Sequence, residues 1–415
     1  MMIRPVSLVP GRDTRWGALL AILVLAVNVG HVSARLGFLH KAKQVKETDQ
    51  WRYIEMARDP ERRKPLSREA TYCWRVFVPV TARWLTRAGL GLDLSFWLIT
   101  NVSLFGFLLV TWIYLRDLGF EPPYRAAGLL VLGLTQGAVR WYEYQYWMTD
   151  PPSLFLIALA LLLIRRESHR WLYPTSVVAA FVRESYAVVY PYYLIRLWRR
   201  GATLLRSTLR TAGVALVPLV VLVALRVLIV PDHPDSFLGD LRDTMGLRLR
   251  HLGEQPYLFT VGAYGVLFPL LLLFPRRLLR LVRRHPEDAF LVAFFVALCA
   301  VANNTERELG YTLPAVLPAA LLALRSLVVE AGLSRWPVLG VVVGLQAFFF
   351  SQQRFLQMGS SMYQPTNAGV VAAMVAFWLG AEALWRARNG SDPAPLEPAE
   401  PSGVPSGRDG SRAGP

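Results

Sequence analysis

Apolar blocks separated by short, arginine-rich loops set the pattern of this chain. Residues 17–34, 94–115, 211–230, 257–275 and 368–385 each come close to the roughly 20 residues an α-helix needs to cross about 30 Å of hydrocarbon. Residues 126–139, 151–164, 289–302, 309–324 and 337–350 are shorter apolar stretches. They read as spans that borrow aromatic flanks or sit where the protein is locally thin. The pattern predicts an all-α fold, a polytopic membrane bundle of about 11–13 segments.

Residues 171–195 form one further apolar run, interrupted near its middle by Arg183 and Glu184. Arg165, Arg166 and Arg170 precede it, and Arg196, Arg199 and Arg200 follow. A single crossing would leave one basic cluster on each side of the membrane, against the bias of Lys and Arg toward the cytoplasm. Two shorter helices meeting at Arg183 and Glu184 keep both clusters on one side and carry the charged pair to the other half of the membrane. The hairpin is the expectation; the bland alternative is a self-neutralising pair plugging a helix contact.

The same bias orients the bundle with both termini inside. Arg116, Arg125, Arg276, Arg277, Arg280, Arg283 and Arg284 then fall on cytoplasmic loops. The long first external loop, about residues 36–92, is also basic, but long loops carry little weight in this rule. It holds an amphipathic run, residues 72–85, expected to lie in the interface. Arg4, Arg12 and Arg15 ahead of the first span imitate a signal peptide; no small-x-small cleavage site follows, so an uncleaved first helix is the reading. Residues 1–388 are expected to form one membrane domain. Residues 389–415, rich in Pro, Gly, Ser and Ala, are expected to form a disordered cytoplasmic tail.

Hydrophobic residues make up 54% of the chain, too apolar a balance for a soluble domain of 415 residues. The net charge of +16 is spread over loops between spans, which argues against a nucleic-acid partner and assigns most of it to anionic lipid headgroups of the bilayer. Cys73, Cys299 and six scattered histidines show no zinc-ligand spacing, so no dedicated transition-metal site is expected, and a disulfide is the minority reading.

With this topology Asp49, Glu143, Asp150, Glu184, Glu306 and Glu308 all open onto the external face. Charges at membrane depth are costly unless paired, hydrated or used, so a one-sided set predicts a polar cavity with a task. Four clusters meet there. They are Glu47, Asp49, Arg52 and Tyr53 with Arg75; the aromatic stretch 141–147 leading into Thr149 and Asp150; Arg183 with Glu184; and Glu306, Arg307 and Glu308. Arginines that fork onto an anion, rings that stack on sugar faces and a carboxylate that takes a hydroxyl proton suit a sugar attached to a phosphate.

The order of these features resembles the GT-C superfamily of membrane glycosyltransferases, in particular its bacterial polyprenyl-phosphate-sugar-dependent type. The motifs are TDQWRYIEMA from Thr48, WRVFVPVTARWL from Trp74, WMTDPPSLFLIALALLL from Trp147, FVRESYAVVYP from Phe181 and TERELGYTLPAVLPAALL from Thr305. Each is short, and their order and shared sidedness carry the likeness across most of residues 15–325. The resemblance implies transfer of a sugar from a polyprenyl-phosphate donor to a lipid, glycan or protein acceptor at the external face of the cytoplasmic membrane. It also implies an acidic general base in the first external loop, at Asp49 with Glu47 as the second choice. Arg75, Arg183 and Arg307 are then the candidates for holding the lipid phosphate, with Asp150, Glu184 and Glu306 as further substrate-binding positions. A single inverting displacement is expected, with no nucleotide-sugar site and no indicated cofactor, although a divalent metal is chemically compatible. The family's adjacent acidic pair is here separated by one residue, and its large external C-terminal domain has no counterpart.

Two other readings share the charged cavity. A secondary transporter would show similarity between its halves, which is not visible. An envelope polysaccharide polymerase or ligase would carry a larger external loop in the second half, for which residues 233–255 are the only candidate.

Overall fold

The computed structural model describes residues 12–41, 49–58, 72–229, 237–250, 257–300, 302, 305–352 and 366–389. Every regular element among them is helical. In chain order they are α1 (Arg12–Leu36), α2 (Asp49–Arg58), α3 (Phe77–Arg87), α4 (Leu92–Asp117), α5 (Pro122–Gly133), α6 (Trp141–Tyr144), α7 (Asp150–Arg165), α8 (His169–Val182), α9 (Val189–Arg199), α10 (Leu204–Leu228) and α11 (Phe237–Arg250). After them come α12 (Leu267–Leu272), α13 (Pro275–Arg284), α14 (Pro286–Leu298), α15 (Thr305–Gly310), α16 (Leu313–Glu330), α17 (Arg335–Gln352) and α18 (Thr366–Asn389). The expected tail, apart from Asn389 at the end of α18, lies outside the described residues.

Four helices, α1, α4, α10 and α16, are long and apolar enough to cross a membrane. At 1.5 Å per residue, the 26 residues of α4 reach about 39 Å. α4 is central, packing on α7, α1 and α3. Its Phe96, Leu104, Phe107, Leu108 and Leu115 are wholly buried. α10 presents the opposite character: Leu205, Leu209, Leu216, Val220, Val223 and Val227 all face outward. An apolar outer surface on an apolar helix is what lipid contact requires and what water would penalise.

The run 171–195 folds as a hairpin. α8 stops at Val182, Arg183 is fully extended at φ −164°, ψ 138°, and a short 3₁₀ turn, Glu184–Val188, leads into α9. The base of the hairpin is pinned by the Tyr193 hydroxyl against His169 Nδ1 at 2.8 Å and by Arg200 with Glu167. Cys73 and Cys299 are both buried free thiols, so the minority disulfide reading is not met.

Two expected spans are broken. Residues 257–275 do not form one helix: a π-helical turn, Leu258–Gly262, is followed by Gly265 at φ +55°, and α12 starts only at Leu267. Residues 126–139 likewise leave the helix after Gly133 and continue as a π-helical turn, Gln136–Arg140. One buried side chain serves both breaks. Gln346 of α17 accepts the Val266 N–H at 2.8 Å and donates to the Leu134 carbonyl at 3.0 Å. Irregular backbone at membrane depth is tolerable where protein supplies such partners.

Charge gathers at two poles. One pole holds Asp13 with Arg125 at 2.8 Å, Asp117 with Arg166 at 2.6 Å, Glu287 with Arg196 at 2.5 Å, Glu121 with Arg335 at 2.6 Å, and Glu330 with Arg277. The other pole holds Arg75, Asp150, Arg183, Glu184, Arg307 and Glu308.

Candidate functional site

α2 brings Tyr53 inward, fully buried, one helical turn after Asp49, the first residue of that helix. The Tyr53 hydroxyl accepts from an Arg75 terminal nitrogen at 3.1 Å and lies 3.4 Å from the Thr149 hydroxyl. Arg75 then reaches Glu184, its Nε donating to one carboxylate oxygen at 3.2 Å and its second terminal nitrogen to the other. This two-pronged contact is the strong geometry for a guanidinium on a carboxylate. Tyr72 sits above, edge-on to Tyr53 with ring centroids 5.9 Å apart, and Arg52 lies over its face at 4.2 Å.

The second half of the network is deeper. Asp150 begins α7, where Pro151 and Pro152 fill the first turn and need no N–H partner, and where a carboxylate complements the helix dipole. Arg183 donates to Asp150 and to Glu308, the latter at 2.6 Å, while Arg307 flanks the same two carboxylates at 3.6 and 3.8 Å. The Tyr311 hydroxyl donates to Asp150 Oδ1 at 3.0 Å, and its ring stacks on Phe295 at 5.0 Å. Asp150 Oδ2 and Glu308 Oε2 are buried with no hydrogen-bond partner among the described residues.

Arg183 and Glu184 therefore do not neutralise each other. The extended backbone at Arg183 sends consecutive side chains to opposite sides, as in a strand, so each joins a different half of the network. Three arginines, Arg75, Arg183 and Arg307, balance Asp150, Glu184 and Glu308. The network opens at Glu184, whose side chain is 33% exposed against 0% for Asp150.

Of the sequence candidates, Arg75, Asp150, Arg183, Glu184 and Arg307 come together. Glu306 is buried but makes no ion pair among the described residues. Its backbone carbonyl instead abuts Gly137. Glu47 and the Asp49 side chain lie outside what is described. The rings of residues 141–147 are core: Trp147 donates to Asp93 at 3.0 Å and Tyr146 to the His40 carbonyl at 2.5 Å. Tyr53, Tyr72 and Tyr311 are rings at the network. Glu308, one of the one-sided carboxylates of the sequence though not among its site candidates, and Tyr311 carry as much of the geometry. Their signal in sequence is position, since Glu308 and Tyr311 are three apart and share one side of a helical turn.

No protein-family model, curated protein or solved structure matches this chain.

Proposed function

We propose that this protein is a membrane glycosyltransferase that moves a sugar from a polyprenyl-phosphate donor to a lipid, glycan or protein acceptor at the external face of the cytoplasmic membrane. The observation that carries the reading is the Arg75–Glu184 pair. A forked guanidinium sits at the edge of a buried, charge-balanced network, beside two tyrosine rings, one of them Tyr53 of the helix that Asp49 begins. A donor phosphate takes Arg75 by displacing the exposed Glu184 carboxylate, which leaves Arg75 to stabilise the departing phosphate. Asp49 removes the acceptor hydroxyl proton, the acceptor oxygen attacks the anomeric carbon, and the bond to the phosphate oxygen breaks with inversion. Arg183, held by two carboxylates, keeps the floor of the site rigid. Tyr72, half-buried beside Arg75, offers its ring to the sugar, and buried Tyr53 supports it from below.

The test is sugar transfer by purified protein in nanodiscs with a panel of polyprenyl-phosphate sugars. Asp49→Asn should abolish product while its melting curve matches wild type; Arg75→Gln/Glu184→Gln, which removes the pair together, should abolish product while the protein still folds. A ladder of products would point to a polymerase, and substrate accumulation in proteoliposomes without transfer would point to a transporter. Either result overturns the proposal.

A further inference from the structure

An apolar cavity lies at the opposite pole from the charged network. It has a volume of about 340 Å³ and opens between α4, α7, α13 and α16. Its walls are apolar, with Leu118, Phe120, Leu161, Pro318 and Leu322 among them. Its rim is not. One face of α13 supplies Arg277, Arg280, Leu281 and Arg284 at helical spacing, so a single short helix contributes both chain-facing and charge-bearing groups.

The charges at this rim are unequally used. Arg277 is taken by Glu330 and Arg196 by Glu287. The acidic groups that face the cavity are also engaged: Asp288 accepts the Tyr192 hydroxyl at 2.8 Å, and Glu330 accepts Trp385 at 2.9 Å besides Arg277. Arg280, Arg284 and Arg325 make no ion pair among the described residues, yet all three line the cavity. A greasy chamber with surplus guanidinium groups at its mouth matches an ester that carries both a phosphate and acyl chains. Arginine is the side chain best suited to fork onto phosphate oxygens.

We infer that this cavity binds one anionic phospholipid from the adjoining leaflet, with its phosphate at Arg280, Arg284 and Arg325 and an acyl chain among the apolar walls. The site is separate from the transfer site proposed above and does not depend on it. Bilayer attraction to basic loops alone would not discriminate among arginines of one helix. Occupancy of the cavity would, because Arg276 and Arg283 belong to α13 but not to the lining.

The test is native mass spectrometry of the full chain in detergent micelles doped with phosphatidylglycerol or with phosphatidylcholine. Wild type should retain one phosphatidylglycerol and far less phosphatidylcholine. Arg280→Gln/Arg284→Gln should lower retention about tenfold or more, whereas Arg276→Gln/Arg283→Gln, with the same loss of charge, should change it less than about twofold. Ala319→Phe, which fills the chamber and keeps every arginine, should also expel the lipid. Equal losses in both double variants, equal retention of the two lipids, or undiminished retention in Ala319→Phe would overturn the inference. So would complete displacement of the lipid by millimolar inorganic phosphate, which would make this a phosphate site without a chain.

Discussion

Arg183 and Glu184 are consecutive in the chain and belong to different ion pairs, one reaching Asp150 and Glu308 and the other returning to Arg75. The extended residue between two helices is what divides them. Arg183 bridges the start of α7 to α15, and it is buried on all sides. Replacing it with Gln leaves two buried carboxylates with Arg307 as their one remaining ion-pair partner among the described residues, at 3.6 and 3.8 Å, and should cost about 3–5 kcal/mol. Arg183→Lys should recover only part of this, because one ammonium nitrogen cannot take the places of the two separate terminal nitrogens that reach Asp150 and Glu308. Adding Asp150→Asn and Glu308→Gln to Arg183→Gln should restore much of the loss. Thermal unfolding in detergent reads all three, and a triple variant no better than the single would mean the network is not the cause.

Gln346 joins two helix breaks that lie far apart in the chain. Its amide oxygen holds the Val266 N–H and its amide nitrogen the Leu134 carbonyl. Gln346→Leu fits the volume but leaves both backbone groups unpaired where water does not reach. The expected loss is about 2–6 kcal/mol in total, since each of the two buried unsatisfied groups costs roughly 1–3 kcal/mol. Gln346→Glu should fail more severely. Hydrogen exchange at Val266 is the local readout: fast exchange in Gln346→Leu against protection in wild type is the expected contrast, and unchanged protection would remove Gln346 from this role.

Long apolar runs made α1, α4 and α10 legible from the chain alone, because an uninterrupted hydrophobic stretch of that length has few other solutions. The hairpin at Arg183 was legible for a different reason, the basic clusters at both of its ends. The breaks at Gly265 and Leu134 were not. A glycine at positive φ and a glutamine many residues away compensate each other only in three dimensions, and neither departs from the apolar pattern enough to end a predicted span. The ion partners were hidden in the same way. Residue spacing places Arg183 beside Glu184, and only backbone conformation shows that they diverge. Glu306 illustrates the converse, since its place in a charged motif did not bring its carboxylate into the network.

Gly137 and Gly310 let α15 lie against the π-helical turn at backbone distance. A methyl group on Gly137 would collide with the Glu306 carbonyl oxygen, and one on Gly310 with the carbonyl of Gly137. Backbone cannot rotate aside as a side chain can, so Gly137→Ala and Gly310→Ala should each destabilise by about 1–3 kcal/mol or more. Gly340 in α17 has open space where a methyl group would stand and serves as the control: Gly340→Ala should be neutral or stabilising by about 0.5–1 kcal/mol. Melting temperatures in one detergent compare the three. Equal shifts at Gly340 and Gly137 would show that helix propensity, not close approach, governs these positions.

Glu287 lies just before the apolar stretch of α14, and its charge should make the opposite pole sensitive to acid. Burial opposes the ionised form, but hydrogen bonds from His285, its own N–H and Arg196 outweigh it and hold the carboxyl down to about 2 from an ordinary 4.5. A carboxyl depressed in the folded state binds its proton more readily when unfolded. Its contribution is therefore complete above about pH 4.5 and disappears as pH falls toward about 2. Glu287→Gln should melt well below wild type at pH 6, and the gap should close progressively on acidification through that window. Arg196→Gln, which removes one of the stabilising donors, should narrow the gap and move its closure to higher pH. A difference between wild type and Glu287→Gln that stays constant from pH 6 to pH 3 would mean that the side chain acts by packing and not by its charge.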